Sequence, residues 1–259
     1  MIFDTITYAL DDDGVALITL NRPDVMNALT QQMRAEIKEA VTKGGREGKC
    51  VVLTGAGERA FCSGQDLGDR KGGVADLERT LRDEYTPMLE AIVNCPVPTI
   101  AAVNGVAAGA GANIALSADI VIAAERAYFL QAFARIGLIP DAGGSYLMPR
   151  NMGMAKAMGA ALLADKISAR QADDWGLIWA AIPDAEFEAH WRARAAQLAT
   201  GPTMAYQAIK RVIRGTWEQT YEEQLAQEAS EQGKCGASRD FKEGVLAFTE
   251  KRKAQFEGR

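Results

Sequence analysis

Between Thr99 and Asp119 the chain reads TIAAVNGVAAGAGANIALSAD, and this stretch limits the possible fold more tightly than any other. Thr99 to Val103 is a short apolar run that reads as a fully buried strand. It breaks at Asn104-Gly105, passes through Ala107, Ala108, Gly109, Ala110 and Gly111, and enters a helical run from Asn113 to Ser117. Residues this small between a strand and a helix serve one of two purposes. They pack a buried helix tightly against a sheet, or they bring bare backbone N–H groups up to something small and negative. A second strand-to-helix loop, AFCSGQDL from Ala60 to Leu67, follows another apolar run at Cys50 to Thr54. Two such loops, each offering one N–H, suit a two-donor oxyanion hole.

The whole chain has 259 residues, enough for one large domain or a domain with an appendage. Its formal net charge of −5 argues against a nucleic-acid surface. Lys242, Lys251, Arg252 and Lys253 gather near the C-terminus, either as a solvated helix face or as cations for an anionic cofactor. Cys50, Cys62, Cys95 and Cys235 lie far apart with no CxxC pair, and no signal-peptide pattern opens the chain. Free thiols and a cytoplasmic location are the expectation. The apolar zone from Thr99 to Ala124 is interrupted by Asn104, Asn113 and Asp119, so it reads as core and not as a membrane span.

Taken in order, Ile2 to Leu10 and Val15 to Leu20 read as strands. Thr30 caps a helix whose face carries Met33, Ile37 and Val41, and Gly44-Gly45 is expected to stop it. Gly55 to Gly73 reads as one long loop, with Gly72-Gly73 suggesting mobility. Leu77, Leu81, Tyr85, Met88, Leu89 and Ile92 mark an amphipathic helix, and further strands follow at Ile120 to Ala123 and Tyr128 to Leu130. From Ser145 onward the pattern is helical, with a capping box at Ser168 and Gln171. Helices are expected around Phe187 to Leu198, Thr203 to Arg214, Thr220 to Ser230 and Arg239 to Lys253. The fold class is α/β, with a core over residues 1–198 and a helical region over 199–259.

Few residues look chemical. GAGERA at Gly55 to Ala60 matches a loose dinucleotide fingerprint, but a loop and not a helix follows it. His190 is the only histidine, sits on a polar helix stretch and reads as a surface residue, which speaks against a Ser-His-Asp device. No metal-ligand spacing is present. Asp141 is the one charge in the apolar loop GLIPDAGG. It is either the N-cap of the helix near Ser145 or a carboxylate with a raised pKa, suited to moving a proton. Asp66 reads as a cap for a helix near Leu67, and Asp119 as a backbone acceptor at a strand start.

AFCSGQDL, AAVNGVAAGAGANIALSADI and IGLIPDAGGSYLMPR, in that order, resemble the enoyl-CoA hydratase/isomerase (crotonase) superfamily across nearly the whole chain. The resemblance implies a spiral of strand-strand-helix turns and a helical C-terminal region that drives trimer formation, as a homotrimer or a dimer of trimers. It implies an acyl-CoA thioester substrate, with coenzyme A part of that substrate and no separate cofactor. The oxyanion donors it implies are the backbone N–H groups of Gln65 and Ala110, where most members have glycine at the second position. Coenzyme A would lie along Ala60 to Leu67 with its adenine near Ala60 and Gln65, and Ala60, Phe61, Ser63, Asp66, Leu67, Gly109, Asn113 and Phe133 would contact the substrate, Phe133 with Ile136 and Leu138 lining an acyl pocket. Phe248, Lys251 and Phe256 resemble C-terminal residues that help hold it, on the same or a neighbouring subunit. Hydratases of the family carry glutamates at the positions of Asn113 and Phe133, whereas several isomerases carry their acid at the position of Asp141. GQDLGDR, NGVAAGAGA, GLIPDAGG and WGLIW are most similar to members that isomerise ring-1,2-epoxyphenylacetyl-CoA to an oxepin in phenylacetate breakdown. The alternatives are a hydratase using Asp141 with a further partner, a Δ3-Δ2-enoyl-CoA isomerase, and a non-catalytic acyl-CoA-binding protein.

Overall fold

A computed structural model describes residues 3–69 and 76–258, so Ile2 and the Gly72-Gly73 pair lie outside the described residues. The strands are β1 (Ile6–Leu10), β2 (Val15–Leu20), β3 (Cys50–Gly55), β4 (Ala60–Cys62), β5 (Thr99–Val103), β6 (Val106–Ala108), β7 (Ile120–Ala124), β8 (Tyr128–Leu130), β9 (Lys166–Ser168) and β10 (Ala180–Ile182). The helices are α1 (Gln31–Glu47), α2 (Leu77–Thr80), α3 (Thr86–Val93), α4 (Ala110–Leu116), α5 (Gly144–Leu163), α6 (Ala169–Asp174), α7 (Phe187–Ala199), α8 (Thr203–Gly215), α9 (Tyr221–Gly236) and α10 (Arg239–Glu250). A π turn, Leu81–Tyr85, joins α2 to α3.

Two sheets form. The larger has the order β1-β2-β3-β5-β7-β10 and the smaller β4-β6-β8-β9. Among the described residues only the β1–β2 and β8–β9 pairs are antiparallel. From β3 to α5 the chain repeats one order, with a strand in the large sheet, one in the small sheet and then helix, as β3-β4, β5-β6 and β7-β8, while β1 and β2 both lie in the large sheet. This is the expected spiral of strand-strand-helix turns. The large sheet is covered on both faces, which explains its near-continuous apolar strands. Val51, Leu53, Ala101 and Val103 face the main core under α1, α3 and the small sheet, while Cys50, Val52, Ile100 and Ala102 face Phe187, Trp191 and Ala195 of α7.

Three expectations need correcting. Gly44-Gly45 does not stop α1, which runs on to Glu47. A Cβ on Gly44 would lie 2.9 Å from the Ala16 methyl, and one on Gly45 2.8 Å from Pro96 Cδ, so these glycines serve close packing. The 55–73 segment is not all loop, since it holds β4 and a 3-10 turn at Leu67–Asp69. The region after Ser145 is not purely helical either, because β9 closes the small sheet and β10 the large one. Thr30 does cap α1 through the Met33 N–H, and Ser168 with Gln171 forms the expected capping box on α6.

Asp119 accepts at the start of β5 as expected, from the Thr99 N–H at 2.8 Å and the Thr99 hydroxyl at 2.9 Å. It does more than that. Lys210 and Arg214 of α8 pair with it at 2.7 and 2.8 Å, and Lys210 also donates to the Cys95 and Val97 carbonyls. One carboxylate therefore docks the helical region onto the spiral. Asp119→Asn leaves two cations without their counter-charge, one of them only 12% exposed. It should lower stability by about 3 kcal/mol, read from the urea midpoint. A loss below about 1 kcal/mol would mean that the pair behaves as a solvated surface contact.

Candidate active site

Two loops meet where the small sheet ends. After β4 the chain turns through Gly64 at φ +96°, and after β6 it turns through Gly109 at φ +53°, ψ −127°, a conformation open essentially only to glycine. A Cβ on Gly64 would lie 2.8 Å from the Ala108 carbonyl oxygen and 3.6 Å from the Ala110 nitrogen, so the two turns are in direct contact. Ala110 is the first residue of α4, one turn earlier than the sequence reading placed the helix start. Its N–H therefore has no partner within the helix. Gln65 lies in an isolated parallel bridge with Leu29. There the Leu29 N–H donates to the Gly64 carbonyl and the Asp66 N–H to the Leu29 carbonyl. Backbone N–H groups alternate sides along an extended strand, so the Gln65 N–H points away from Leu29. Among the described residues, neither the Gln65 nor the Ala110 N–H has an acceptor.

Asp141 enters from the segment before α5. The cap reading does not hold: Gly143 occupies the N-cap position without a side-chain bond, and the Asp141 main-chain carbonyl, not its carboxylate, accepts from the Gly144 N–H. One carboxylate oxygen, Oδ1, is buried with no hydrogen-bond partner. Burial disfavours the charged form and pushes the Asp141 pKa up to about 6. Left-handed backbone at Ala142 (φ +47°) and Gly143 (φ +84°) turns the chain away immediately after it.

Asn113 supports that loop. Its Nδ2 donates to the Asp141 carbonyl at 2.8 Å, and its Oδ1 accepts from Gln131 Nε2 at 2.8 Å. Expected to contact substrate, Asn113 is instead fully buried and works behind Asp141. Phe61 is corrected in the same way: its side chain belongs to the main core, so only its backbone remains for a ligand. Phe133 is nearly buried, and its ring edge lies 3.7 Å from where a Gly109 Cβ would stand. Ala60 is buried, Ser63 is half-buried, and Leu67 is 65% exposed. Asp66 does cap the turn after it through the Gly68 N–H, but it also pairs with Arg22 at 2.7 Å, and that bond to Arg22 holds its carboxyl below the usual carboxylate range.

Two residues important to the loops were missed in the sequence. Tyr85 and Arg34 both bond the Gln65 side chain, at 2.6 and 3.0 Å. Tyr85 reads as one more apolar position of an amphipathic helix, and the only hint at Arg34 is a charge beside the Met33–Ile37 face. Phe248 and Phe256 line a hollow of about 540 Å³ with Met204, Phe241 and Val245, all within the helical region. Within one chain this hollow includes none of Gln65, Ala110 or Asp141. Lys251 ends α10 in left-handed conformation, and Phe248 is 87% exposed. The C-terminal tail behind them is tied by the Glu257 and Gly258 N–H groups to the buried Asp240 carboxylate.

Other chemistries have little support. The four cysteines are unpaired, and burial pushes the Cys50 and Cys62 thiols up to about 12, away from reactive thiolate. His190 is half-buried on α7 with Nε2 unpartnered, not the surface residue the sequence suggested. It belongs to the helix on the far face of the large sheet. Among the described residues no group of His, Cys, Asp and Glu is arranged to hold a metal, and no helix is long and apolar enough to cross a membrane.

Comparison with known proteins agrees with this architecture. The chain is 56% identical over 259 residues to a probable enoyl-CoA hydratase of Rhodobacter capsulatus, with 100% of both chains covered. It is 44% identical over 254 residues to the 1,2-epoxyphenylacetyl-CoA isomerase of Escherichia coli, covering 96% of this chain and 97% of that one. A solved Mycobacterium abscessus structure, described as a putative enoyl-CoA hydratase/isomerase, superposes with a TM-score of 0.91 at 38% identity, covering 98% and 100%. The profile described as Enoyl-CoA hydratase/isomerase matches residues 11–259, and the chain belongs to that family, with its crotonase fold and its acyl-CoA chemistry.

Proposed function

We propose that the chain is an acyl-CoA isomerase that forms a thioester enolate and moves a single proton with Asp141. The observation that carries this is the buried, unpartnered Oδ1 of Asp141, at a pKa of about 6, on a segment tied by Asn113 to α4, the helix that opens with the acceptor-free Ala110 N–H. Asp141 removes a proton conjugated with the thioester carbonyl. The electron pair moves to the carbonyl oxygen, which accepts from the two N–H groups, each worth roughly 2.7–4 kcal/mol in the transition state. The protonated carboxyl then returns its proton at a different carbon, so the product is an isomer and no water is consumed.

The positions where family hydratases carry two glutamates hold Asn113 and Phe133. Asn113 has its side-chain bonds committed to Gln131 and the Asp141 carbonyl, and Phe133 puts an apolar ring over the Gly109 turn. Neither can activate water. For the acyl group we favour a ring-1,2-epoxyphenylacetyl thioester converted to the oxepin, on the motif resemblance and on the name of the 44% identical relative. Coenzyme A would run along Ala60 to Leu67. The assembly we favour is a trimer or dimer of trimers built by residues 199–259 and by exposed apolar residues of α5 such as Met154, Met158, Leu162 and Leu163. Phe248, Lys251 and Phe256 would then reach the coenzyme A of a neighbour.

The 56% identical relative named a probable hydratase favours a second reading, water addition to 2-enoyl-CoA. Product analysis separates the two. Purified protein should isomerise the ring epoxide thioester or shift a 3-enoyl-CoA double bond, while hydrating crotonyl-CoA only slightly. Efficient hydration with no isomer formed would replace the isomerase reading with the hydratase one.

A further inference from the structure

Rotation of the Gln65 peptide is controlled from behind. The Leu29 N–H holds the Gly64 carbonyl and, through that planar peptide, sets the direction of the Gln65 N–H, so whatever steadies this two-bond bridge steadies the donor. The Gln65 side chain leaves the strand toward α1 and the π turn. There its Oε1 accepts two hydrogen bonds, from the Tyr85 hydroxyl at 2.6 Å and from Arg34 Nη1 at 3.0 Å. The same Arg34 nitrogen donates to the Leu29 carbonyl at 3.2 Å, so one guanidinium ties both strands of the bridge together.

Arg34 is itself fixed. It is 2% exposed, its Nε donates to Glu84 Oε2 at 3.1 Å, and its guanidinium lies 4.7 Å from the centre of the Tyr85 ring. Glu84 and Tyr85 are consecutive residues of the π turn Leu81–Tyr85, where the Thr86 N–H reaches back five residues to the Leu81 carbonyl. Removing the one extra residue of this turn would rotate Tyr85 by about 100° relative to the helix that follows. π turns are rare, cost helix regularity and recur at functional sites. Burial pushes the Tyr85 hydroxyl pKa upward, so it stays a donor at working pH.

We propose that Tyr85, delivered by the π turn and braced by Arg34, is a positioning residue that aims the Gln65 N–H at the substrate carbonyl through the Gln65 side chain. The proposal rests on the reading of Gln65 and Ala110 as oxyanion donors. Tyr85 touches no substrate. It acts only through Gln65, and a misaimed donor weakens the bond that grows in the transition state more than it weakens ground-state binding.

The test is a double-mutant cycle of Tyr85→Phe and Gln65→Met on the full-length protein, with kcat and KM measured for isomerisation. The carbonyl stretch of bound crotonyl-CoA, carbon-13 labelled at the thioester, is recorded in parallel. Tyr85→Phe should lower kcat by about 10–100-fold with KM within about twofold. The downshift of the bound carbonyl should shrink. Gln65→Met should do the same, and the double variant should be no worse than either single one. Wild-type kcat and a full downshift in Tyr85→Phe, or losses that multiply in the double variant, would overturn the proposal. If Tyr85→Phe does not fold, Gln65→Met decides alone, with an undiminished kcat and downshift counting against it. A wild-type complex with no downshift at all would instead remove the oxyanion reading underneath.

Discussion

Asp141→Asn is expected to fold, to bind acyl-CoA and to lose isomerisation by about 10²–10⁴-fold, the usual contribution of a positioned acid–base group. Asparagine keeps the shape and can still fill the site, but it cannot accept and return a proton. The substitution also has a signature in stability. The Asp141 pKa is about 6 in the folded protein against an ordinary 3.8. The folded state thus holds its proton more tightly than the unfolded chain, and the wild type loses stability as pH rises from about 4 through 6. Above that range a carboxylate with one unpartnered buried oxygen remains as a cost. Asp141→Asn should therefore melt higher than wild type at pH 7.5, and the advantage should vanish below pH 3.8. In wild type, kcat/KM should fall as pH drops below about 6, because the base is then protonated. Unfolding scans at the two pH values, alongside rates, measure all of this. A variant that still isomerises at near wild-type rate would remove Asp141 from the mechanism and assign the proton transfer to another group.

Ala110→Pro is expected to cost about 10²–10³-fold in kcat, the effect of deleting one oxyanion donor. The site makes the experiment clean. Ala110 is the first residue of α4, where proline is well tolerated because the N–H has no helical partner. No acceptor within the described residues is lost, since the Ala110 N–H donates to none. The preceding Gly109, at φ +53°, ψ −127°, is extended in mirror image, so the restriction that proline places on its predecessor is met. Ala110→Gly is the control. It keeps the N–H, removes one buried methyl group, costs at most about 1 kcal/mol of stability and should leave kcat nearly unchanged. Steady-state kinetics with circular dichroism to check folding suffice. Equal loss in both variants, with the fold intact, would mean that the backbone N–H at this position is not a donor.

Local signals in the chain were decisive wherever the physics is local. Thr30 and the Ser168–Gln171 box mark helix starts because a side-chain oxygen meets an N–H three residues on. The runs in β3, β5 and β7 read as buried strands because both faces of a parallel sheet are apolar. The two small-residue loops were legible in the same way, since only tiny residues allow turns such as those at Gly64 and Gly109, while the spiral came from the family resemblance that these motifs carry. The Asp141 segment stood out as one charge among apolar neighbours, though whether it capped a helix or stayed unpartnered was left open.

The tertiary structure decided what depends on neighbours distant in sequence. The three-residue strands β4, β9 and β10 lack the aromatic and apolar run that marks β8 and exist because a partner strand lies beside them. Gly44-Gly45 resembles a stop signal, yet the helix passes through it because Ala16 and Pro96 leave no room for a Cβ. Asn113 and Phe61 sit in motifs that suggest ligand contact, but three-dimensional packing turns both inward. Asp141 became an unpartnered carboxylate only when Gly143 took the cap position and burial removed its water. Tyr85 differs in no way from its apolar helix neighbours until the π turn rotates its hydroxyl onto Gln65, an arrangement set by the contacts of Arg34 and Glu84 across two helices and invisible to any local pattern.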